Sequence, residues 1–175
     1  MKYASIDIGT NTVLMLLASV DDKNTLHEIM DISTITRLGE GLKDTGYIQG
    51  HAMQRTIIAL ETYLNITKSH GVDKILCVGT SALREAKNSI EFLKKVEKDT
   101  GLNIKIISEK EEAYYTYLSV LKDEKIRCDD CIIVDIGGGS TEIIRVSKSE
   151  FVDYVSIPIG SVKLTEGFIK HDPPL

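Results

Sequence analysis

The stretch Ile133-Val-Asp-Ile-Gly-Gly-Gly-Ser140 indicates the fold, because a similar stretch, Ser5-Ile-Asp-Ile-Gly-Thr-Asn11, stands near the N-terminus. Each copy reads as an apolar strand that ends in Asp-Ile-Gly, followed by a tight polar turn and a second strand. Two copies separated by more than a hundred residues are too far apart for a solenoid repeat. The spacing is typical of a duplicated domain.

Strands and helices alternate along the rest of the chain, which predicts an α/β sheet protein. Alternating or continuous apolar runs predict strands at Tyr3–Ile8, Thr12–Val20, Thr25–Thr36, Lys74–Gly79, Asn103–Ile107, Cys131–Ile136, Thr141–Val146 and Phe151–Ile157. Helical spacing and end signals predict helices at about Gln49–Lys68, from Asn88 or Ser89 to Gly101, from a Ser108-x-x-Glu111 capping box to Leu121, and at Ser161–Ile169. The charged segment Lys122–Asp130 predicts a linker between domains 1–124 and 125–175.

Composition excludes several classes of protein. The 175 residues are 42% hydrophobic and 27% charged, which is typical of a globular chain, and the net charge of −5 argues against a nucleic-acid binder. The longest apolar run, Val13–Ala18, is far short of the roughly 20 residues of a membrane span. Asp7 interrupts the first apolar stretch, unlike a signal peptide. A cytoplasmic protein without a membrane partner is therefore expected.

The three cysteines allow two interpretations. Cys128-Asp-Asp-Cys131 has the spacing of redox and zinc sites, but zinc needs two further ligands and no second such pair exists. Burial as small apolar side chains is the simpler interpretation, since Cys131 begins an apolar strand.

Both copies of the repeat suit a phosphate ligand. Glycines at 9, 137, 138 and 139 permit tight turns whose consecutive N–H groups form an anion-binding concavity. Further donors are expected from the short side chains Thr10, Asn11, Ser140 and Thr141. An acidic residue before each turn, Asp7 or Asp135, could hold Mg²⁺ that bridges to phosphate oxygens. A lone glycine turn is more often a plain hairpin, whereas the duplication favours phosphate binding and resembles the two phosphate loops of the actin-like superfold.

Hydrolysis of a phosphoanhydride also needs a carboxylate near the attacking water. Glu111 is explained as the capping partner of Ser108, while Glu112, about 100° further around the helix, is not needed for the cap. Favourable pairing of Glu112 with the helix dipole remains an equal alternative. Arg84 follows a strand end, where phosphate ligands often bind, but a surface ion pair with Glu85 or Glu91 explains it equally well.

Several motifs resemble the exopolyphosphatase / guanosine pentaphosphatase (Ppx/GppA) family, in the family's order. They are Asp7-Ile-Gly-Thr-Asn11, Arg37-Leu-Gly-Glu-Gly-Leu42, Gly79-Thr-Ser-Ala-Leu-Arg-Glu-Ala86, Glu111-Glu-Ala113, Val134-Asp-Ile-Gly-Gly-Gly-Ser-Thr-Glu142 and Pro158-Ile-Gly-Ser-Val-Lys-Leu-Thr-Glu166. The resemblance implies the actin-like (ribonuclease H-like) ATPase superfold, with one complete lobe and the start of a second. Family members continue beyond the position of Pro173-Pro-Leu175, so an incomplete second lobe is expected.

The resemblance also implies roles for individual residues. Glu112 corresponds to the family's catalytic base, Asp135 to its metal-associated acid, and Glu142 to a carboxylate close to the metal and the water. Asn11, Arg84 and the loop Gly137–Ser140 are implied phosphate contacts. Ser108-Glu109 departs from the Ser-Gly that often precedes this segment in the family, which affects the local turn alone.

The expected activity is Mg²⁺-dependent removal of the terminal phosphate from polyphosphate or guanosine pentaphosphate. The acidic balance offers no basic channel for a long polymer, which favours short or nucleotide substrates. Alternatives are a kinase or ATPase of the same superfold and a non-catalytic module that senses polyphosphate or guanosine tetraphosphate. Open sheet edges predict a homodimer or other self-association.

Overall fold

A computed structural model describes residues 1–123 and 126–169, which divide into two compact units. The first unit is Met1–Ile106 and the second begins at Ile107. This division lies earlier than the predicted boundary after residue 124, because the helix that follows Ser108 packs on the second sheet. Of the predicted linker Lys122–Asp130, residues 124 and 125 lie outside the described part of the chain, as does the terminal Pro173-Pro-Leu175.

The first unit is built on a five-stranded sheet in the order β3-β2-β1-β4-β5. Its strands are β1 Lys2–Ile8, β2 Thr12–Val20, β3 Leu26–Ile35, β4 Lys74–Gly79 and β5 Lys105–Ile106. β1, β2 and β3 form an antiparallel meander, whereas β4 lies parallel to β1 and β5 parallel to β4. The carboxyl ends of β1 and β4 therefore meet at one edge, which is where α/β sheets usually place ligands.

Four helices accompany this sheet, namely α1 Leu42–Thr45, α2 Gly50–Ser69, α3 Ser81–Glu85 and α4 Ser89–Thr100. The predicted apolar stripe of α2 is confirmed, since Met53, Ile57 and Leu60 are buried in the core. The short helices α1 and α3 were not predicted, because four or five residues are too few to show helical periodicity. Asn88 occupies the N-cap position of α4, as predicted, but its side chain does not cap the helix and instead exchanges hydrogen bonds of 2.9 and 3.0 Å with the backbone of Ile48.

The described residues of the second unit form an antiparallel sheet in the order β6-β7-β8 and two helices. Its elements are α5 Glu109–Lys122, β6 Cys131–Ile136, β7 Thr141–Ser147, β8 Glu150–Ile157 and α6 Ser161–Phe168. The predicted capping box is confirmed, with Ser108 and Glu111 bonding reciprocally at the start of α5. Ala113 and Tyr117 of α5 pack with Ile144 and Val146 of β7, so one face of this sheet is covered by the helix.

The other face of β6 differs from its counterpart in the first copy of the repeat. Ala4, Ile6 and Ile8 of β1 are at most 1% exposed, whereas the equivalent Ile132, Val134 and Ile136 of β6 are 58%, 53% and 70% exposed. β6 is also an edge strand of the described sheet. The expected self-association stays a prediction, and this apolar row is the surface on which it would rest. Within residues 1–123 and 126–169, no helix has the length and apolar character needed to cross a bilayer.

Candidate active site

The two copies of the repeat form hairpin loops with the same backbone geometry. Ile8 pairs with Val13 across the first loop and Ile136 pairs with Thr141 across the second. The Gly9 N–H donates to the Thr12 carbonyl at 3.0 Å, and the Gly137 N–H donates to the Ser140 carbonyl at 2.9 Å. A Cβ on either glycine would lie only 3.0 or 3.2 Å from that carbonyl oxygen, which explains why both loops begin with glycine.

The carbonyls of the second loop are held by the start of α6. The N–H groups of Ser161 and Val162 donate to the Gly137 and Gly138 carbonyls at 2.9 and 3.0 Å. In the described part of the chain, the N–H groups of Gly138, Gly139 and Ser140 donate to no protein acceptor. Unpaired N–H groups are costly to bury, and Ser140 is only 6% exposed, so acceptor oxygens of a ligand could bind here; the phosphate role of the loop stays a prediction.

The first loop is held in a similar way by residues 36–39. The Gly39 N–H donates to the Thr10 carbonyl at 2.8 Å, and the Thr36 and Arg37 N–H groups donate to the Asn11 carbonyl at 3.0 and 2.9 Å. The hydroxyls of Thr10 and Thr36 are buried with no hydrogen-bond partner among the described residues. The segment after β3 therefore orients the first loop as the start of α6 orients the second.

Arg55 of α2 fixes this segment. Its Nε donates to the Thr36 carbonyl at 2.8 Å and its Nη2 pairs with Glu40 Oε2 at 2.6 Å. The hydrogen bond from Arg55 is the main reason that the pKa of Glu40 lies below its ordinary value, with a smaller contribution from His51 at 3.4 Å. Arg55 thus connects α2 to the residues that orient the first loop.

The Glu40 ion pair gives a pH-dependent prediction. A carboxylate with a lowered folded-state pKa stabilises the protein above its unfolded pKa of about 4.5, and this contribution is lost as pH falls through the folded value. We expect Glu40→Gln to destabilise the protein near pH 6, by less than about 1 kcal/mol since the pair is partly exposed, and to have progressively less effect as pH falls below about 4.5. Urea unfolding at several pH values measures the difference. Glu61→Gln, an exposed site on α2, is the control, and a pH-independent effect of Glu40→Gln would contradict the prediction.

The remaining predicted residues of the first unit lie near the carboxyl ends of β1 and β4. The Thr80 N–H donates to the Ile8 carbonyl at 3.3 Å, which brings the start of α3 to the edge that carries the first loop. Arg84, half-buried, lies on α3 at this edge. Asp7 is half-buried at the end of β1, and burial together with the Asp7 charge raises the pKa of Cys77 to about 12. The phosphate and metal roles of these residues stay predictions.

Two carboxylates of the second unit face each other across neighbouring strands. Asp135 of β6 and Glu142 of β7 are direct partners in the strand register, so their side chains leave the same face of the sheet. The Thr116 hydroxyl of α5 donates to Asp135 Oδ2 at 2.7 Å, and the Ser156 hydroxyl of β8 donates to Glu142 Oε1 at 2.8 Å. Glu142 is 1% exposed. In the first copy of the repeat, Leu14 stands where Glu142 stands here, so only the second copy has this pair.

This pair suits a hard divalent cation. Like charges directly opposite in a sheet destabilise it, and neither carboxylate has a Lys or Arg salt bridge among the described residues. A cation would offset both effects. Residues 1–123 and 126–169 hold no group of three His, Cys, Asp or Glu side chains around one point. Two carboxylates fit Mg²⁺, which usually keeps several waters and binds phosphate oxygens in its remaining positions.

Glu112 lies on the helix that contacts this pair. It is half-buried in the first turn of α5, and its N–H donates to the Ser108 carbonyl at 2.9 Å. Thr116 follows four residues later, on the same side of the helix, and binds Asp135. The second unit thus carries the predicted base, the two facing carboxylates and the second loop on elements that contact one another, namely α5, β6 and β7.

Sequence reasoning missed the residues that support this site. Thr116 and Ser156 orient the two carboxylates, and Gly160 lies against the second loop. Gly160 belongs to a motif noted in the sequence, whereas nothing in the sequence marked the two hydroxyls. The Thr141 hydroxyl donates to the Ile159 carbonyl at 2.6 Å and so holds the chain that leads to α6, while its predicted phosphate contact stays a prediction.

Gly160→Ala is expected to disturb the second loop. A Cβ at this position would overlap the backbone of Gly138 and lie 2.6 Å from the Gly139 nitrogen, and backbone cannot move aside as a flexible side chain can. We expect a loss of about 1–3 kcal/mol in the free energy of unfolding, measured by urea denaturation. Gly50→Ala is the matched control because a Cβ there meets nothing within 4 Å, and equal stability of the two variants would contradict the prediction.

The chain matches the family model of the Ppx/GppA phosphatases over residues 16–175. Exopolyphosphatase 2 of Mycobacterium tuberculosis is 32% identical over 99% of this chain and 56% of its own length. The guanosine-5'-triphosphate,3'-diphosphate pyrophosphatase of Aliivibrio fischeri is 33% identical over 96% of this chain and 33% of its own length. The chain thus spans about half or less of the length of these curated relatives.

The structural comparison agrees with the sequence comparison. The crystal structure of the Aquifex aeolicus Ppx/GppA family member superimposes on this chain with a TM-score of 0.80 and 38% sequence identity. The match covers all of this chain and 56% of the Aquifex aeolicus chain. The expected actin-like α/β fold is confirmed. Together with the motifs and the paired hairpin loops, these matches show that the chain belongs to the Ppx/GppA phosphatase family of hydrolases.

Proposed function

We propose that this chain contributes the catalytic carboxylates and a phosphate loop to Mg²⁺-dependent hydrolysis of terminal phosphoanhydride bonds. The observation that carries the proposal is the facing pair of half-buried Asp135 and buried Glu142, which lies beside a loop in which the N–H groups of Gly138–Ser140 have no acceptor among the described residues. Phosphate oxygens suit the loop, and a divalent cation suits the pair. Family membership in the Ppx/GppA phosphatases supports this class of reaction.

Each residue has a distinct part in the proposed reaction. The N–H groups of Gly138–Ser140 bind oxygens of the terminal phosphoryl group, while Asp135 and Glu142 would hold Mg²⁺. When bound, Mg²⁺ supplies positive charge that stabilises the phosphoryl oxygens in the transition state. Glu112 accepts a proton from the attacking water, whose oxygen bonds to phosphorus as the bridging P–O bond breaks. The leaving oxygen departs with the shortened substrate.

Thr116 and Ser156 have positioning roles in this scheme. Their hydroxyls donate to one oxygen of each carboxylate, which leaves the other oxygens of Asp135 and Glu142 for the cation. In the first unit, we propose that Arg84 and Asn11 bind phosphate and that Asp7 supplies a further acidic group.

The proposed substrates are inorganic polyphosphate and guanosine pentaphosphate. The name of the Mycobacterium tuberculosis relative, exopolyphosphatase 2, supports polyphosphate. The name of the Aliivibrio fischeri relative supports guanosine pentaphosphate, which is guanosine-5'-triphosphate,3'-diphosphate. The net charge of −5 favours short or nucleotide substrates, because a long polyanion is best bound by an extended basic surface. A non-catalytic polyphosphate-binding role is the second candidate, because the N–H groups of Gly138–Ser140 could bind phosphate oxygens without turnover.

Phosphate release from tripolyphosphate and from guanosine pentaphosphate, with Mg²⁺ or with EDTA, tests the proposal. Release that requires Mg²⁺ would support it, and the two rates would show which substrate is preferred. Mg²⁺-dependent binding of tripolyphosphate without release would favour the non-catalytic candidate. If the chain neither bound nor hydrolysed these substrates in the presence of Mg²⁺, both candidates would be contradicted.

A further inference from the structure

Cys128 and Cys131, which the proposed hydrolysis does not use, are joined by a disulfide. Their Cα atoms are 5.7 Å apart, an ordinary distance for a disulfide, and the bond closes a loop around Asp129 and Asp130. Cys128 is 7% exposed and packs in the core of the second unit, while Cys131 is half-buried at the start of β6. The expected burial holds for Cys128, whereas the disulfide was not expected.

The loop between the cysteines is held in place by contacts that do not involve sulfur. Ser149 donates its N–H to the Asp129 carbonyl at 2.8 Å and its hydroxyl to Asp129 Oδ1 at 2.7 Å. Ser147 and the Lys148 N–H donate to Asp130 Oδ1. These bonds tie the loop to the turn between β7 and β8, so the two sulfurs stay close together even when the disulfide is open.

We propose that Cys128 and Cys131 form a reversible dithiol–disulfide centre that exchanges with small-molecule thiols and disulfides. In the oxidising direction, the more accessible Cys131 thiolate attacks a small-molecule disulfide RSSR, forming a Cys131–SR mixed disulfide and releasing RS⁻. The Cys128 thiolate then attacks the Cys131 sulfur, closes the protein disulfide and releases a second RS⁻. The protein loses two electrons and two protons, and RSSR becomes two RSH. Reduction reverses both steps.

The two carboxylates inside the disulfide ring bias the choice of exchange partner. Asp129 and Asp130 are exposed carboxylates within the ring that the disulfide closes. They repel an anionic reagent and attract a cationic one. A cationic disulfide such as cystamine is therefore expected to react faster than the anionic glutathione disulfide, and this difference should shrink at high salt because the carboxylates are exposed.

The exchange changes the local turn and not the fold. Tyr117 of α5 donates its hydroxyl to the Ser149 carbonyl at 3.0 Å, in the same turn that anchors the cysteine loop. We expect this contact and the aspartate contacts to persist in both redox states, since none of them uses a sulfur atom. Cys77 does not take part, because burial and the nearby Asp7 raise its pKa to about 12.

The test starts from the fully reduced, folded chain. After brief exposure to cystamine, the protein is unfolded in acid, alkylated at its free thiols and weighed by intact mass spectrometry. We expect one alkylated cysteine, Cys77, instead of three, and recovery of all three when the folded, oxidised protein is treated with cysteamine. The Cys128→Ser variant should trap one cysteamine on Cys131, whereas Cys131→Ser should react more slowly because Cys128 is buried.

Three results would each overturn the proposal. The mixed disulfide could persist in the wild-type chain without closing to the protein disulfide. The disulfide could resist cysteamine until the protein is unfolded, which would make it a permanent bond. Glutathione disulfide could react faster than cystamine at low salt. None of these readouts depends on phosphate hydrolysis, so the test of this inference is independent of the proposed function.

Discussion

Replacing Glu112 by Gln is expected to lower the rate of phosphate release by about 10²–10⁴-fold, because the amide cannot accept the proton of the attacking water. The fold should survive the change. The capping box that starts α5 uses Ser108 and Glu111, and the Glu112 N–H bond to Ser108 is made by backbone. Steady-state release of phosphate from the preferred substrate, with saturating Mg²⁺, measures the effect.

Glu111→Gln is the matched control for this prediction. It neutralises the neighbouring carboxylate, and Gln still suits the third position of a capping box, so α5 should remain formed. We expect the rate of this variant to stay within a few-fold of wild type. If both variants lost the same fraction of activity, the assignment of Glu112 as the base would be wrong.

Replacing Glu142 by Gln is expected to abolish the response of the protein to Mg²⁺. In the wild-type chain, Mg²⁺ at about 100 times its Kd should raise the free energy of unfolding by about 2.7 kcal/mol, since only the folded state presents the facing pair. Without Mg²⁺, the variant should be at least as stable as wild type. The repulsion with Asp135 is gone, and the Ser156 hydroxyl can still donate to the amide oxygen.

Thermal unfolding with and without Mg²⁺ measures this effect independently of turnover. Glu150→Gln is the control, because Glu150 is an exposed residue of β8 outside the facing pair. It should keep the full Mg²⁺ response. An undiminished response in Glu142→Gln would place the cation elsewhere and remove the main support for the proposed site.

The parts of the fold that could be predicted are those encoded by local patterns. The duplicated Asp-Ile-Gly stretches predicted two equivalent hairpins, and the structure gives both the same loop length and the same glycine hydrogen bond. The capping box at Ser108 was predictable because both its partners lie within one helical turn. That Asp135 faces Glu142 could also have been derived from the sequence, since a four-residue loop after Ile136 fixes the register of the two strands.

The parts that could not be predicted depend on contacts between distant residues. The Thr116 hydroxyl reaches Asp135 only because α5 packs on the second sheet, and the contact of Gly160 with Gly138 requires α6 to begin against the loop. Asn88 holds the predicted N-cap position, but its side-chain amide bonds to Ile48, forty positions earlier in the chain, and not to the helix. Such partners carry no periodic signal, so a single sequence does not reveal them.

Paramagnetic broadening by Mn²⁺ in place of Mg²⁺, recorded on the amide NMR signals of the chain with tripolyphosphate bound, tests the central claim most directly. The account predicts that trace Mn²⁺ broadens Asp135, the loop Gly137–Ser140 and Glu142 first, that Glu112 and Thr116 follow, and that Glu142→Gln removes the effect. Broadening centred on the exposed Asp129 and Asp130, or broadening that is unchanged in Glu142→Gln, would contradict it.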